Sequence, residues 1–445
     1  MKAIIIGGVA AGMSAASKLK RMESDARVTV YERGSFLSYG ACGLPYYIGG
    51  VNPDPKRLIV RSREHFEKMG IDTFLRHEAV NVDTEKRTVT IRELDTGREF
   101  GDRYDTLLIA VGCDSFVPPI EGADVPGVFY IKSLEDALLM EKIVTTPGVG
   151  SAVIVGGGYI GVEMVEAMLE RGLRVTLIEA ADRLLGPFER EFSALVLEEL
   201  TVRGAQVSLG EKVTAIAPGA TRRTVETQKA RYEGDIVIMC AGVVPATSFL
   251  KASGIRMARN GAIVVDREMR TSCEHVFSAG DCAVTYNRIT REHFFLPLGT
   301  VANKCGRIAG GNMAGRHDKF PGALGTAAIK VCGLEMARTG MSQADAIRLG
   351  QEYDSVLAKA RNLPEYYPGG ADITIGLLWE KGTKRLLGAN VAGAYGSGAV
   401  LRCDMFALAI QAGMTTEELG MADLAYAPPF SSVWDAVHIA ANAAK

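Results

Sequence analysis

The sequence predicts an α/β protein in which two nucleotide-binding βαβ units precede a smaller α+β domain. Three observations predict it. Two segments share one grammar of apolar strand, glycine-rich turn, helix and second strand ending in a carboxylate. The pattern changes from about residue 325. With 445 residues, the chain is long enough for several buried cores.

The first unit begins with the apolar strand Lys2–Ile6, turns at Gly7, Gly8 and Gly12, and continues as a helix to about Met22 and a strand over Val28–Glu32. The second repeats this with Ser151–Val155, a turn at Gly156, Gly158 and Gly161, a helix to about Glu170 and a strand over Val175–Glu179. The second turn matches G-x-G-x-x-G fully, whereas Val9 replaces the middle glycine of the first. In such Rossmann-like units the turn lets backbone amides reach a pyrophosphate at the helix N-terminus. Glu32 and Glu179 are placed to accept hydrogen bonds from a ribose 2′-hydroxyl and to repel a 2′-phosphate. That favours NADH over NADPH. Arg174 and Arg183, close to Glu179, keep NADPH as the second choice.

Gly234–Gly242 reads as a further buried strand ending at a glycine turn. The segment Thr271–Asp281 ends a strand in Gly280-Asp281, setting a carboxylate at a strand C-terminus, where open α/β sheets bind nucleotides. Beyond residue 325, Ile373–Trp379 and Leu386–Val391 flank a Lys381-Gly382-Thr383 turn as a hairpin. Ala399–Ala412 reads as an apolar helix closed by Gly413, in a domain apolar enough to bury one face against a partner.

Composition narrows the function. The formal charge of −2 gives no reason to expect a nucleic acid or an anionic membrane as partner. Eight scattered cysteines, without a CxxC pair or a Cys/His cluster, suggest neither a disulfide framework nor a metal site. No apolar run approaches the roughly 20 residues of a membrane span. The apolar start Ala3–Ile6 is too short for a signal-peptide core. A reducing, cytoplasmic setting is the expectation.

The most informative residue is Cys42, within Ser38–Tyr46. It stands where a helix is expected to open, so unpaired N–H groups would stabilise a thiolate. A redox pair would need a second cysteine five residues on, but Tyr47 stands there. Cys42 is therefore expected to work alone, as a mixed disulfide or a sulfenate. Cys240, Cys282 and Cys403 read as packing residues.

Taken together, the first fingerprint, Tyr104–Gly112, Gly156–Glu163 and Ser278–Asp281 resemble the pyridine nucleotide-disulfide oxidoreductases nearly end to end. Within them, Ser38-x-x-x-Cys42-x-x-Pro45-Tyr46, Glu365–Gly369 and Ala425–Phe430 look most like coenzyme A-disulfide reductases. The resemblance implies an FAD-binding domain over 1–115 and 245–324, an NAD(P)H-binding domain over 116–244 and a C-terminal dimerisation domain over 325–445. It implies that Gly7, Gly12, Glu32 and Arg33, with Ala110, Gly112 and Gly280, hold FAD. Asp281 would hold the ribityl chain, and Leu298 to Ala302 would lie by the flavin ring. Gly156, Gly158, Ile160, Gly161, Glu179 and Gly242 would bind NAD(P)H, with Tyr159 gating the nicotinamide and Glu163 beside it. Tyr366 and Tyr426 would come from the other subunit of a homodimer to face the substrate sulfur, with Tyr367 competing for the role of Tyr366. Ser14, Lys18, Arg21 and Ser38 match positions contacting coenzyme A, itself a candidate mixed-disulfide partner of Cys42. Two departures stand out. Ala41 replaces the asparagine expected before the cysteine, and Ala443 replaces the acid that pairs with the C-terminal histidine of dithiol reductases, which makes His438 structural or surface.

The resulting expectation is an enzyme passing electrons from NADH through FAD to a disulfide held at Cys42, with a tyrosine hydroxyl protonating the departing thiolate. Two rivals use the same thiol. One is reduction of coenzyme A persulfide or polysulfide. The other is an oxidase or peroxidase cycling Cys42 through sulfenate, although Ala10 stands where peroxide-active relatives carry a histidine. A flavoprotein that only senses redox state is a third class.

Overall fold

The first unit forms β1 (Lys2–Ile6), α1 (Ala10–Met22) and β2 (Arg27–Glu32) in a computed structural model that describes residues 1–219 and 221–445. β1 and β2 pair in parallel with Ala3 beside Val28 and Ile5 beside Val30. Both faces of a parallel sheet are covered, so Ala3, Ile4, Ile5 and Ile6 are all buried and the strand needs no polar alternation. After β2 the chain makes the short helix α2 (Leu44–Ile48), then adds β3 (Ile71–Leu75) and β4 (Thr106–Ile109) to the sheet.

A second sheet follows. It is built from β5 (Val128–Tyr130), α3 (Leu134–Val144), β6 (Ser151–Val155), α4 (Tyr159–Glu170), β7 (Arg174–Glu179), α5 (Arg190–Val202), β8 (Gln206–Leu209) and β9 (Ile236–Met239). Its strand order is β8-β7-β6-β9-β5, all parallel. The chain then returns to the first sheet, where β10 (Val276–Ser278) pairs with β4 to complete the order β10-β4-β1-β2-β3. We propose the partition at residues 115, 245 and 325 on this return of the chain.

The two glycine turns are nearly the same object. Gly7 and Gly156 hold φ of 106° and 110°, in the left-handed region that L side chains avoid. A Cβ on Gly12 would lie 1.8 Å from the Gly7 carbonyl oxygen, and one on Gly161 equally close to that of Gly156. The Gly8 amide donates to Glu32 at 2.6 Å and the Gly157 amide to Glu179 at 2.5 Å. Because the obstacle at position 12 is backbone, Gly12→Ala is expected to lose about 4 kcal/mol or more of stability and most bound flavin. An unshifted thermal midpoint with full flavin content would show that the turn relaxes instead.

The helix α6 (Gly299–Met313) crosses α1 at close range, with a Cβ on Gly306 reaching to 2.2 Å of the Ala11 carbonyl oxygen. The C-terminal region forms an antiparallel sheet of β11 (Ala327–Val331), β12 (Leu334–Gly340), β13 (Tyr353–Arg361), β14 (Asp372–Glu380) and β15 (Leu386–Ala394), in the order β11-β12-β15-β14-β13. The expected hairpin is β14–β15, and the expected apolar helix is α7 (Ala399–Ala412), closed by Gly413 at φ 75°. The last helix is α8 (Ala436–Asn442).

Although α2 follows the first unit, its Leu44, Tyr47 and Ile48 are buried in the core of the second, with Met140, Val162 and Val165. Burying three such side chains contributes roughly 1.5–3 kcal/mol each. This anchors the segment carrying Cys42 between the two nucleotide-binding units.

Candidate active site

Cys42 lies in a single 3₁₀ turn, Ala41–Gly43, directly before α2. The helix after the cysteine has five residues and Cys42 precedes its first turn. The long helix that comes near is instead α6: a Cβ on its first residue, Gly299, would sit 4.0 Å from Cys42 Sγ. The expected thiolate is not favoured by the protein groups around it. Burial, then Glu163 and Asp281, push the thiol up from its ordinary value, while Lys132 opposes them. Because the residue is open to solvent, the burial contribution is screened. The charges that act on it belong to α4 and to two loops remote in sequence, which a local helix-dipole argument leaves out.

Asp281 follows β10 and approaches Lys132 Nζ at 3.7 Å, and it accepts from Cys113 Sγ at 3.6 Å. Sequence reasoning missed Lys132 and Cys113. Lys132 follows β5 of the second sheet, so its position past a strand carboxyl end was the available signal. Glu163, on α4, has no hydrogen-bond partner among the described residues. Burial, followed by the charge of Glu166, pushes its carboxyl up to about 7. Glu166 itself is buried, ion-paired with Lys330 of β11, and accepts from the Cys332 amide at 2.9 Å.

The folded state thus prefers Glu163 protonated. Its contribution to stability is complete below the unfolded value of 4.5 and is lost as pH rises through about 7. Wild-type stability is expected to fall across this window by up to about 3 kcal/mol more than that of Glu163→Gln. Denaturant midpoints at pH 4.5 and 8 read the difference, and parallel profiles would contradict it.

A cleft of about 380 Å³ opens at the first glycine turn, lined by Gly7, Glu32, Arg33, Glu78, Asp114 and Phe249 among others. Its volume suits part of a dinucleotide. Both Glu32 oxygens are already engaged, one by the Gly8 amide and one by the Gly34 amide, which leaves lone pairs for a ribose. Arg33 pairs with Asp114. Added Cβ atoms on Gly112, Gly158 and Gly242 would meet nothing, so backbone there faces open space a bound nucleotide could occupy. Ala110 ends the β4 ladder with its amide on the Ile6 carbonyl, and Gly280 turns at φ 85° before Asp281. Leu298 caps α6, whose first turn includes Ala302. These residues fit an FAD.

In the second unit, Glu179 accepts from the Gly157 and Ala181 amides. Tyr159 and Ile160 open α4, with the Tyr159 ring 6.1 Å from that of Phe188. Arg174 is exposed, and Arg183 donates to the Gly186 carbonyl. On α1, Ser14, Lys18 and Arg21 share one helical face, and Ser14 donates to Asn303 at 2.7 Å. Ser38 holds φ 48°, and its amide donates to the Gly8 carbonyl.

The two tyrosines come together. Tyr366 and Tyr426 hydroxyls lie 3.2 Å apart, on separate loops of the C-terminal region, and both residues are exposed (73% and 45%). Tyr366, rather than Tyr367, makes the pair, and hydrogen bonding to Tyr426 raises its pKa. Among the described residues no cluster of three metal-binding side chains occurs, and no helix is long and apolar enough to cross a membrane.

Residues 1–294 match the family profile described as pyridine nucleotide-disulphide oxidoreductase, and residues 326–437 match the dimerisation domain of the same enzymes. The chain belongs to the pyridine nucleotide-disulphide oxidoreductase family. This family is FAD- and NAD(P)H-dependent. Among its members, an NAD(P)H sulfur oxidoreductase (CoA-dependent) of Pyrococcus furiosus is 37% identical over all of this chain and 99% of its own. An NADH oxidase of Enterococcus faecalis is 32% identical, again over all of this chain and 99% of its own. The solved NAD-dependent persulfide reductase of A. fulgidus superposes with a TM-score of 0.96 at 36% identity, covering all of this chain and 83% of that one.

Proposed function

We propose that this oxidoreductase is a homodimer that uses NADH to reduce coenzyme A disulfide, or a related low-molecular-weight disulfide or persulfide, through Cys42 alone. The observation that carries the reading is that all eight cysteines are free and only Cys42 is exposed. It lies beside Asp281 and the first turn of α6, on a segment held between the two nucleotide-binding units. NADH, with NADPH as second choice, is favoured by Glu179. We also propose a cytoplasmic setting.

In the proposed cycle, the Cys42 thiolate attacks one sulfur of R–S–S–R′. A Cys42–S–S–R bond forms, and R′–S⁻ leaves with the electron pair of the broken bond. The Tyr366–Tyr426 pair of the partner subunit supplies the proton for R′–S⁻ and recovers one from water. Lys132, opposite Asp281, favours the thiolate against the carboxylates of Glu163 and Asp281. Ser14, Lys18, Arg21 and Ser38 hold the coenzyme A portion. FAD bound at the first unit would accept hydride from NADH and supply the two electrons that release R–SH and restore Cys42.

A lone exposed cysteine also suits a sulfenate-cycling oxidase, and the Enterococcus faecalis relative is named NADH oxidase. The intact mass of denatured protein purified without reductant, before and after thiol treatment, separates the two. A reducible increment of one coenzyme A on the Cys42 peptide is the expected result. An oxygen-sized increment, with water-forming NADH turnover and none on coenzyme A disulfide, would replace the proposal.

A further inference from the structure

The loops carrying the two tyrosines are tied at their bases by one buried guanidinium. Arg402, on α7, donates through Nε to both oxygens of Asp435 at 3.0 Å, and through Nη2 to Asp435 at 2.7 Å and to the Asn362 carbonyl at 3.4 Å. Its Nη1 reaches the Ser397 and Gly398 carbonyls at 3.4 and 3.3 Å. Arg402, Asp435, Asn362 and Ser397 are all buried.

Asn362 and Asp435 are where the tyrosine loops begin and end. The loop over 363–370 is stapled shut by two bonds, from the Asn362 amide to the Ala371 carbonyl (2.9 Å) and from the Ala371 amide to Asn362 Oδ1 (2.7 Å). Asn362 Nδ2 also donates to the Ser397 carbonyl at 3.0 Å. The loop carrying Tyr426 is closed by His438, whose Nδ1 accepts from the Asp435 amide and whose Nε2–H donates to the Ala422 carbonyl at 2.8 Å. Asp435 in turn caps α8 by accepting from the Val437 amide. Glu335 holds the start of α7 by accepting from the Gly396 and Ala399 amides. One planar fork therefore registers two loop bases, while at the tips two hydroxyls meet at 3.2 Å on an otherwise exposed surface. A guanidinium can do this because its donors are fixed in one plane; an ammonium on a flexible stem cannot serve both loops at once.

We infer that Arg402, with Asp435, is a positioning residue that sets the Tyr366–Tyr426 hydroxyl pair. Its effect on turnover rests on the reading of that pair as the proton donor. Breaking the fork lets the two loops move independently, and small misplacements of a reacting group have large kinetic consequences.

The test uses the FAD-loaded dimer, with 3-fluorotyrosine at position 426, in wild type, Arg402→Lys and Asp435→Asn. Arg402→Lys keeps a cation opposite Asp435, and Asp435→Asn keeps the α8 cap acceptor, so either variant serves if the other fails to fold. Flavin content and gel filtration report the fold. The expected result is a displaced or broadened ¹⁹F line and a kcat with coenzyme A disulfide lower by about tenfold or more, with flavin reduction by NADH unchanged. Added to Tyr426→Phe, either variant should lower kcat no further, because both act through one group. An unmoved ¹⁹F line, or losses that multiply with Tyr426→Phe, would overturn the inference. Full turnover by Tyr426→Phe with a displaced line would instead remove the proton-donor reading and leave the clamp standing.

Discussion

Cys42→Ser is expected to lose turnover with coenzyme A disulfide by about 10³-fold or more, while binding FAD as the wild type does. The loss follows from chemistry: a serine hydroxyl neither forms a stable nucleophile near neutral pH nor makes a bond that two electrons can reopen. Retention of flavin follows from structure. Cys42 is exposed and donates no side-chain hydrogen bond, whereas its segment is anchored by Leu44, Tyr47 and Ile48. The first glycine turn and its Glu32 anchor are untouched by the change. Steady-state kinetics and the flavin absorbance of the purified variant decide the matter together. Substantial turnover with flavin bound would sink the single-cysteine mechanism. Loss of flavin would mean that Cys42 supports the fold.

The second large effect is a recovery. Cys42→Ser and Tyr426→Phe dimers should each be nearly inactive, and mixing them under conditions of subunit exchange should restore about a quarter of wild-type activity. Half of the exchanged dimers are mixed. Each mixed dimer has one site with an intact Cys42 from one chain and an intact Tyr426 from the other. The geometry motivates this: within one chain Tyr366 and Tyr426 face solvent, and Leu401, Leu408, Met421, Phe430, Val433 and Trp434 of the same region are exposed apolar side chains. If cysteine and tyrosine served the same chain's site, mixing would restore nothing. Activity assayed against time after mixing reads the outcome.

Much of this architecture was open to a reader of the residues. The glycine spacing marked both turns, because a left-handed φ at Gly7 and Gly156 and a backbone contact at Gly12 and Gly161 leave no alternative residue. The acids at 32 and 179 were equally legible, though each proved to grip the amides of its own turn as well. Less could be read of the site. The electrostatics of Cys42 depend on Glu163, Asp281 and Lys132, which only the tertiary fold brings near. Which of Tyr366 and Tyr367 meets Tyr426 needed the loop conformation, since adjacent residues have the same local sequence signal. The buried Arg402–Asp435 pair joins positions 33 residues apart in sequence, and no periodicity reports a cross-link of that kind.

The Glu166–Lys330 pair has a consequence for how the nicotinamide comes and goes. It bolts the helix that opens at Tyr159 to the first strand of the C-terminal sheet, inside a shared apolar core that includes Ile329 and Val331. Swinging the second nucleotide unit away as a rigid body would have to separate this ion pair and open the apolar contact around Ile329 and Val331. A hinge there would reopen the core each time, so for a dinucleotide held at the second turn the smaller motion would be rotation of side chains at its mouth, which is faster than domain opening.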